Sequence, residues 1–170
     1  MNDELIKVIE TIDIIPLLKF YLKNKNNIHW TVHGNKGEQT SIQYKEGDDP
    51  FISSVGKSKG NELSYDILNP LYKDSVIEDV VKKYKLHRAR FMWVNPMSCY
   101  SLHKDSTPRI HIPLITNPAC YFVFKEDNSS NGIIKHLPIG SVYWTNTTVS
   151  HTFMNCSDIA RLHLVGIVEC

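Results

Sequence analysis

The segment 101–114 holds the densest group of side chains that could do chemistry: two histidines, an aspartate and an arginine fall within nine positions. His103 and Asp105 are two residues apart, so on an extended strand both side chains point to one face and can bind one metal ion. Arg109 and His111 have the same spacing and share a face further along the chain. A polar loop followed by a half-buried strand is the simpler interpretation, because histidine and aspartate are common near turns.

A third histidine, His151, lies in an apolar stretch 46 residues after Asp105. That separation lets the chain cross the fold and return opposite Asp105. Two imidazole nitrogens and one carboxylate, with other coordination positions open, suit non-haem Fe(II) and leave room for a bidentate cosubstrate and dioxygen. With His103, these residues therefore predict a metal site.

Arg161 is the residue that best distinguishes a metal enzyme from a jelly roll in which this strand has only a structural role. It belongs to the alternating run Arg161–Leu164, in which Arg161 and His163 share one face and the two leucines share the other. Alternation alone favours an arginine that faces solvent, but its position ten residues after His151 favours the interior. A buried guanidinium needs a carboxylate, which arginine holds with two parallel hydrogen bonds. No acidic residue nearby in sequence is an obvious partner, so a dicarboxylic cosubstrate is the natural candidate.

Short strand-like segments fill the second half of the chain and are separated by turn sequences. There are eight of them, at residues 90–94, 99–102, 109–115, 120–124, 133–137, 141–145, 148–154 and 160–168. Eight such segments after a helical start favour a two-sheet jelly roll over parallel βαβ units.

Helical patterns dominate the first half. Apolar residues in 5–12 recur at helical spacing, and Asp3 can cap a helix there. Pro16 should interrupt it, with a further helical turn or two over residues 17–22. A capping-box pattern at Ser75 predicts another helix over about 75–85.

Composition sets broad limits on the protein. At 170 residues the chain fits one domain, with a helical buttress and substrate loops in 1–87 and a β core in 88–170. The loops fall mainly in 24–61, with β-like pieces at 28–32 and 40–44. A formal charge of +1 gives no electrostatic footprint for nucleic acid. No apolar run approaches the ~20 residues that span a bilayer. Four cysteines without a C-x-x-C pair or a secretory signal lead us to expect free thiols in the cytoplasm.

The combined pattern resembles the 2-oxoglutarate and Fe(II)-dependent oxygenases, specifically the aspartyl/asparaginyl β-hydroxylase branch that also contains free-proline hydroxylases. The residues that carry the resemblance are His103-x-Asp105, Arg109-x-His111 within Arg109–Leu114, His151 and Arg161. It is strongest over 88–166 and implies a double-stranded β-helix that uses Fe(II), 2-oxoglutarate and O2. By the same resemblance, His103, Asp105 and His151 would bind iron. Arg161 would hold the distal carboxylate of 2-oxoglutarate, and Arg109 and His111 would help to orient it.

The implied reaction is hydroxylation of an unactivated C–H bond in a small-molecule or peptide substrate, such as an amino acid or an Asp, Asn or Pro side chain. Arg88 and Arg90 could recognise a substrate carboxylate, although a pair of surface arginines is the simpler interpretation for Arg88. Two alternatives stay open. One is a metal-dependent cupin without 2-oxoglutarate, although its first motif would need His-x-His where this chain has His-Lys-Asp. The other is a non-enzymatic jelly roll that binds a ligand or partner.

Overall fold

The computed structural model describes residues 5–32, 34–58, 60–125 and 131–168. Most of them belong to two antiparallel sheets that pack face to face. The strands are β1 (Ile6–Thr11), β2 (Thr31–Val32), β3 (Glu38–Ser41), β4 (Gln43–Tyr44), β5 (Ile67–Leu68), β6 (His87–Val94), β7 (Ser98–Cys99), β8 (Arg109–Ile115), β9 (Cys120–Lys125), β10 (Gly132–Lys135), β11 (Ser141–Thr145), β12 (His151–Asn155) and β13 (Arg161–Ile167). The helices are α1 (Ile15–Asn24) and α2 (Val76–Lys83), with short 3-10 turns at Lys25–Asn27, Glu62–Ser64 and Pro70–Tyr72.

The order of the strands identifies the architecture. The larger sheet runs β1-β11-β8-β13-β6-β3-β2, and the smaller one runs β10-β9-β12-β7, while β4 and β5 pair separately. Apart from the β9–β10 hairpin, successive strands from β6 to β13 cross from one sheet to the other. Eight strands wound in this way form a double-stranded β-helix, the jelly roll that the sequence predicts. All eight predicted segments overlap one of these strands.

The larger sheet is buried on both faces. One face of β8 and β13, represented by Ile112 and Leu164, packs in the same core cluster as residues of α1 and α2. The opposite face places Arg109, His111 and Arg161 between the two sheets, where they are also buried. Arg161 and the leucines of β13 are therefore all buried, because protein covers both faces of the strand.

The predicted helix over residues 5–12 is wrong, because β1 pairs antiparallel with β11 at the edge of the larger sheet. The register shifts between Val8 and Glu10, which leaves Ile9 as an extra residue in a bulge. That extra residue breaks strict alternation and gives the apolar positions a helix-like spacing. Four of the six residues in β1 are β-branched, a composition that favours a strand. Asp3, the expected cap, lies outside the described residues.

The other helical predictions are confirmed, with one change. Pro16 lies in the first turn of α1, where a proline starts a helix rather than interrupting it. At α2, the Ser75 hydroxyl accepts a hydrogen bond from the amide of Ile77 at 3.2 Å. The Glu78 carboxylate accepts from the amide of Asp74, one residue before the position that a standard capping box uses.

The structure also extends the account of the first half of the chain. Strand β3, in the region expected to be loops and edge strands, pairs with β6 and widens the larger sheet. Cys99, Cys120 and Cys156 have free thiols, and Cys170 lies outside the described residues. No helix in the described part of the chain is long and apolar enough to cross a membrane.

Candidate metal centre and cavity

The three predicted metal ligands lie together, with His151 buried, Asp105 half-buried and His103 exposed. His103 and His151 face each other across an antiparallel bridge, in which their backbone amides and carbonyls pair at 3.0 and 2.9 Å. The Asp105 amide extends this pairing to the carbonyl of Thr147 at 2.9 Å. The ligand atoms of His103, Asp105 and His151 lie within 4.8 Å of one another, so one ion can contact all three.

Backbone carbonyls fix the orientation of both imidazoles. Nδ1 of His103 lies 2.8 Å from the carbonyl of Ser101, and Nδ1 of His151 lies 3.0 Å from that of Val149. A carbonyl can only accept, so each Nδ1 carries the proton and each Nε2 keeps its lone pair for a metal. Burial lowers the pKa of His151, which favours the neutral imidazole that a metal requires.

Arg109 holds the third ligand in place. Its Nε lies 3.1 Å from Oδ2 of Asp105, an oxygen that is 3.9 Å from Nε2 of His151. The rest of the Arg109 guanidinium forms a two-pronged ion pair with Glu62, in which both nitrogen–oxygen distances are 2.9 Å. Arg109 therefore lies beside the Asp105 carboxylate, and described acidic side chains already occupy its hydrogen-bonding groups. Its role in orienting a cosubstrate stays a prediction.

Glu62 is a site residue that the sequence analysis missed. Its side chain is only 6% exposed, and besides Arg109 it is paired with Arg88 and accepts hydrogen bonds from Ser106 and Thr107. Burial alone would raise the pKa of this carboxyl, but its hydrogen bond to Arg109 and the nearby positive charges lower that pKa to about 2. Glu62 therefore stays ionised and is the shared counterion of two buried arginines.

Arg161 is almost completely buried, with 2% of its surface exposed. Its Nε lies 2.8 Å from Nε2 of His163, and its guanidinium carbon lies 3.3 Å from the ring centre of Phe153. No carboxylate in the described residues lies within ion-pair distance of it. Burial lowers the pKa of its guanidinium well below the usual value.

Two buried histidines lie beside Arg161. Their Nδ1 atoms, one from His111 and one from His163, are 3.5 Å apart. Burial, followed by the charge of Arg161, lowers the pKa of both rings well below the usual value, so both are neutral. Nε2 of His111 is buried without a hydrogen-bond partner among the described residues. That atom is therefore free to bond to a ligand in the cavity that His111 helps to line.

A cavity of about 620 Å³ joins these groups, a size typical of sites that enclose a small molecule. Its lining includes all six predicted site residues: His103, Asp105, Arg109, His111, His151 and Arg161. Arg88 and Arg90 line it too, and they are only 3% and 8% exposed. The interpretation of Arg88 as a surface residue is therefore wrong, because the turn carrying Glu62 and the segment around Gly56 cover it.

No protein-family model matches the chain, and no curated protein sequence matches it. Solved structures do match. A 2OG-Fe(II) oxygenase family oxidoreductase from Burkholderia pseudomallei aligns with a TM-score of 0.61 and 13% identity, over 98% of this chain and 84% of that one. HygX from Streptomyces hygroscopicus, solved with nickel, 2-oxoglutarate and hygromycin B bound, aligns with a TM-score of 0.58 and 9% identity, over 95% and 81%. The chain therefore has the same double-stranded β-helix fold as these two proteins, with a His–Asp–His cluster able to hold a metal ion.

Proposed function

We propose that the protein is a 2-oxoglutarate- and Fe(II)-dependent dioxygenase that hydroxylates an unactivated C–H bond of an amino acid or of an Asp, Asn or Pro type side chain in a peptide. One observation carries the proposal: the cavity that contains the His103–Asp105–His151 cluster also contains Arg161, a buried guanidinium without a described carboxylate partner. A metal site alone would not need such a residue. A dicarboxylic cosubstrate such as 2-oxoglutarate needs both groups, because the metal ion would bind its keto acid end and the arginine would bind its other carboxylate.

The residues present fit an Fe(II) ion. His103 and His151 offer Nε2 lone pairs, because their Nδ1 atoms are bonded to backbone carbonyls. Asp105 offers a carboxylate oxygen, and two nitrogens with one oxygen leave further coordination positions open. Fe(II) and 2-oxoglutarate, when bound, would activate dioxygen for C–H hydroxylation with release of succinate and carbon dioxide.

The protein's own residues would place the cosubstrate. Arg161 would pair with its distal carboxylate, which would supply the anion that this buried guanidinium lacks. Nε2 of His111, buried and without a partner among the described residues, would form a hydrogen bond to the same molecule. Arg109 would position the Asp105 ligand, because its Nε lies 3.1 Å from the Asp105 carboxylate and its Nη2 is held by Glu62.

Turnover and metal binding test this function. The wild-type protein with Fe(II), ascorbate and 2-oxoglutarate should form succinate, and the rate should rise with an accepted substrate. Anaerobic titration should show that 2-oxoglutarate tightens Fe(II) binding, and that Asp105→Ala loses the ion. Asp158→Ala removes an exposed carboxylate and is the matched control.

Two results would point to other functions. Metal binding that depends on Asp105, without succinate and without tightening by 2-oxoglutarate, would indicate a cupin-type metal enzyme. Equal Fe(II) binding by the wild type and Asp105→Ala would show that the cluster is not a metal site, as in a ligand-binding jelly roll.

A further inference from the structure

The cavity carries more positive charge than its proposed cosubstrate can neutralise. The whole chain has a formal charge of +1, yet four buried arginines line the cavity with only two carboxylates, Glu62 and Asp105. A divalent metal adds two positive charges, and 2-oxoglutarate brings two negative ones. The loaded site therefore keeps its excess of positive charge, which favours an anion as the second organic ligand.

Arg90 is the lining residue whose free hydrogen-bonding edge points to a particular ligand. Its Nη1 lies 2.9 Å from the carbonyl of Ser54 and 3.2 Å from that of Gly56, so the protein holds this corner of the guanidinium. Its hydrogen bonds to described residues all leave from Nη1, and Nε is buried without a partner among them. Nε and Nη2 together form the side of an arginine that binds a carboxylate through two parallel hydrogen bonds.

Arg90 lies on the metal side of the cavity, away from Arg161. In the antiparallel pairing of β6 and β13, Arg90 is opposite Val165 and Arg161 is opposite Val94. Four residues along a strand separate the two backbone positions by about 13 Å. The carbonyl of Gly56 accepts hydrogen bonds from both Arg90 and Arg88, and Arg88 begins the chain of ion pairs that leads through Glu62 to Asp105.

We propose that Arg90 binds a carboxylate of the primary substrate and thereby makes this protein selective for a carboxylic acid. The inference rests on the proposed function and adds the class of substrate. The carboxylate belongs either to a free amino acid or to an acidic side chain of a peptide. Held by Arg90, such a substrate lies beside the Asp105 end of the site, while Arg161 serves the cosubstrate.

The electrostatic state of Arg90 is consistent with this role. Burial, with further contributions from the charges of Arg88 and Arg109, lowers the pKa of its guanidinium to about 9. The group therefore remains positively charged at neutral pH. A buried positive charge without a counterion destabilises a fold, and a carboxylate that binds to it removes that cost.

Binding measurements test the proposal without turnover. The protein is loaded anaerobically with Mn(II) and N-oxalylglycine, an inert analogue of 2-oxoglutarate, and titrated in a calorimeter. The first probes are free L-amino acids, and the second are short blocked peptides whose only carboxylate is an Asp or Glu side chain. Each probe that binds is repeated as its carboxamide. We expect at least one carboxylate probe to bind, and its carboxamide to bind about 10- to 100-fold more weakly.

Two variants separate the role of Arg90 from a general loss of structure. Arg90→Gln removes the charge, and Arg90→Lys keeps the charge but not the two-pronged edge. Both substitutions should weaken binding of the carboxylate probe about 10- to 100-fold. The affinity for N-oxalylglycine should stay unchanged, which also reports an intact fold. Lys135→Gln, which removes an exposed positive charge on β10, should change neither affinity.

Each opposite result overturns the proposal. It fails if no carboxylate probe binds, if the carboxamides bind equally well, or if the Arg90 variants keep full affinity for the carboxylate. Weaker N-oxalylglycine binding in both variants would assign Arg90 to the cosubstrate instead. A wild-type protein that binds Mn(II) but not N-oxalylglycine would refute the proposed function itself, and the inference with it.

Discussion

Glu62 should contribute a large and strongly pH-dependent part of the stability of the fold. Its carboxylate lies between Arg88 and Arg109, and these interactions lower its pKa from 4.5 to about 2. A shift of that size corresponds to about 3 kcal/mol of stabilisation at neutral pH. Because the pKa is lower in the folded state, this stabilisation is complete above pH 4.5 and is lost as the pH falls towards 2.

Urea unfolding of the wild type and Glu62→Gln measures this contribution. At pH 7 the variant should be less stable by about 3 kcal/mol, or somewhat more, because two buried arginines lose a shared counterion. At pH 3 the difference should be smaller by about 2 kcal/mol, because at this pH the Glu62 carboxyl is mostly protonated in the unfolded chain but mostly ionised in the folded protein. Glu46→Gln, an exposed control, should show no such change.

Two results would refute the reasoning. A difference below about 1 kcal/mol at pH 7 would mean that the ion pairs do not offset the cost of burying the three charges. An equal difference at pH 7 and pH 3 would mean that it arises from packing rather than from charge. Glu62→Asp keeps the charge and should keep the dependence on pH even if its shorter side chain lowers stability.

Arg161→Gln should weaken 2-oxoglutarate binding by calorimetry at least about 30-fold, as expected for a buried ion pair, while Mn(II) alone still binds. Gly37→Ala should lower the thermal midpoint, because a Cβ there would lie 1.9 Å from the backbone oxygen of Trp93, so that the residue before β3 must move away from β6. Ser75→Ala should cost about 1 kcal/mol in urea unfolding, since it removes the cap of α2, whereas Ser58→Ala should cost nothing comparable.

Sequence patterns predicted the β core because its short, strand-like segments are bounded by turn sequences. The same patterns failed where local spacing was misleading. A bulge at Ile9 gives the apolar residues of β1 the spacing of a helix, and the strand is evident only from its pairing with β11. Alternation around Arg161 suggested one buried face, whereas the helices and the second sheet bury both.

The partners of the arginines were not accessible to sequence reasoning. Glu62 is 47 residues from Arg109, in a short turn with no pattern that links the two. A count of charges could have given a hint, because an interior with several arginines and one aspartate needs another acid. Which acid supplies it depends on how the segment before α2 folds over the sheet, and that is a tertiary property.

The bridge between His103 and His151 bears on how the proposed metal ion would be bound. Both imidazoles are positioned by backbone pairing and carbonyls, and Asp105 is positioned by Arg109. None of these contacts requires an ion, so the ligands are set as the chain folds. In small zinc domains, by contrast, the ion supplies much of the folding free energy. Here the ion would bind to ligands that the fold has already positioned. A chelator should therefore remove the ion, and added Fe(II) restore it, without unfolding of the chain.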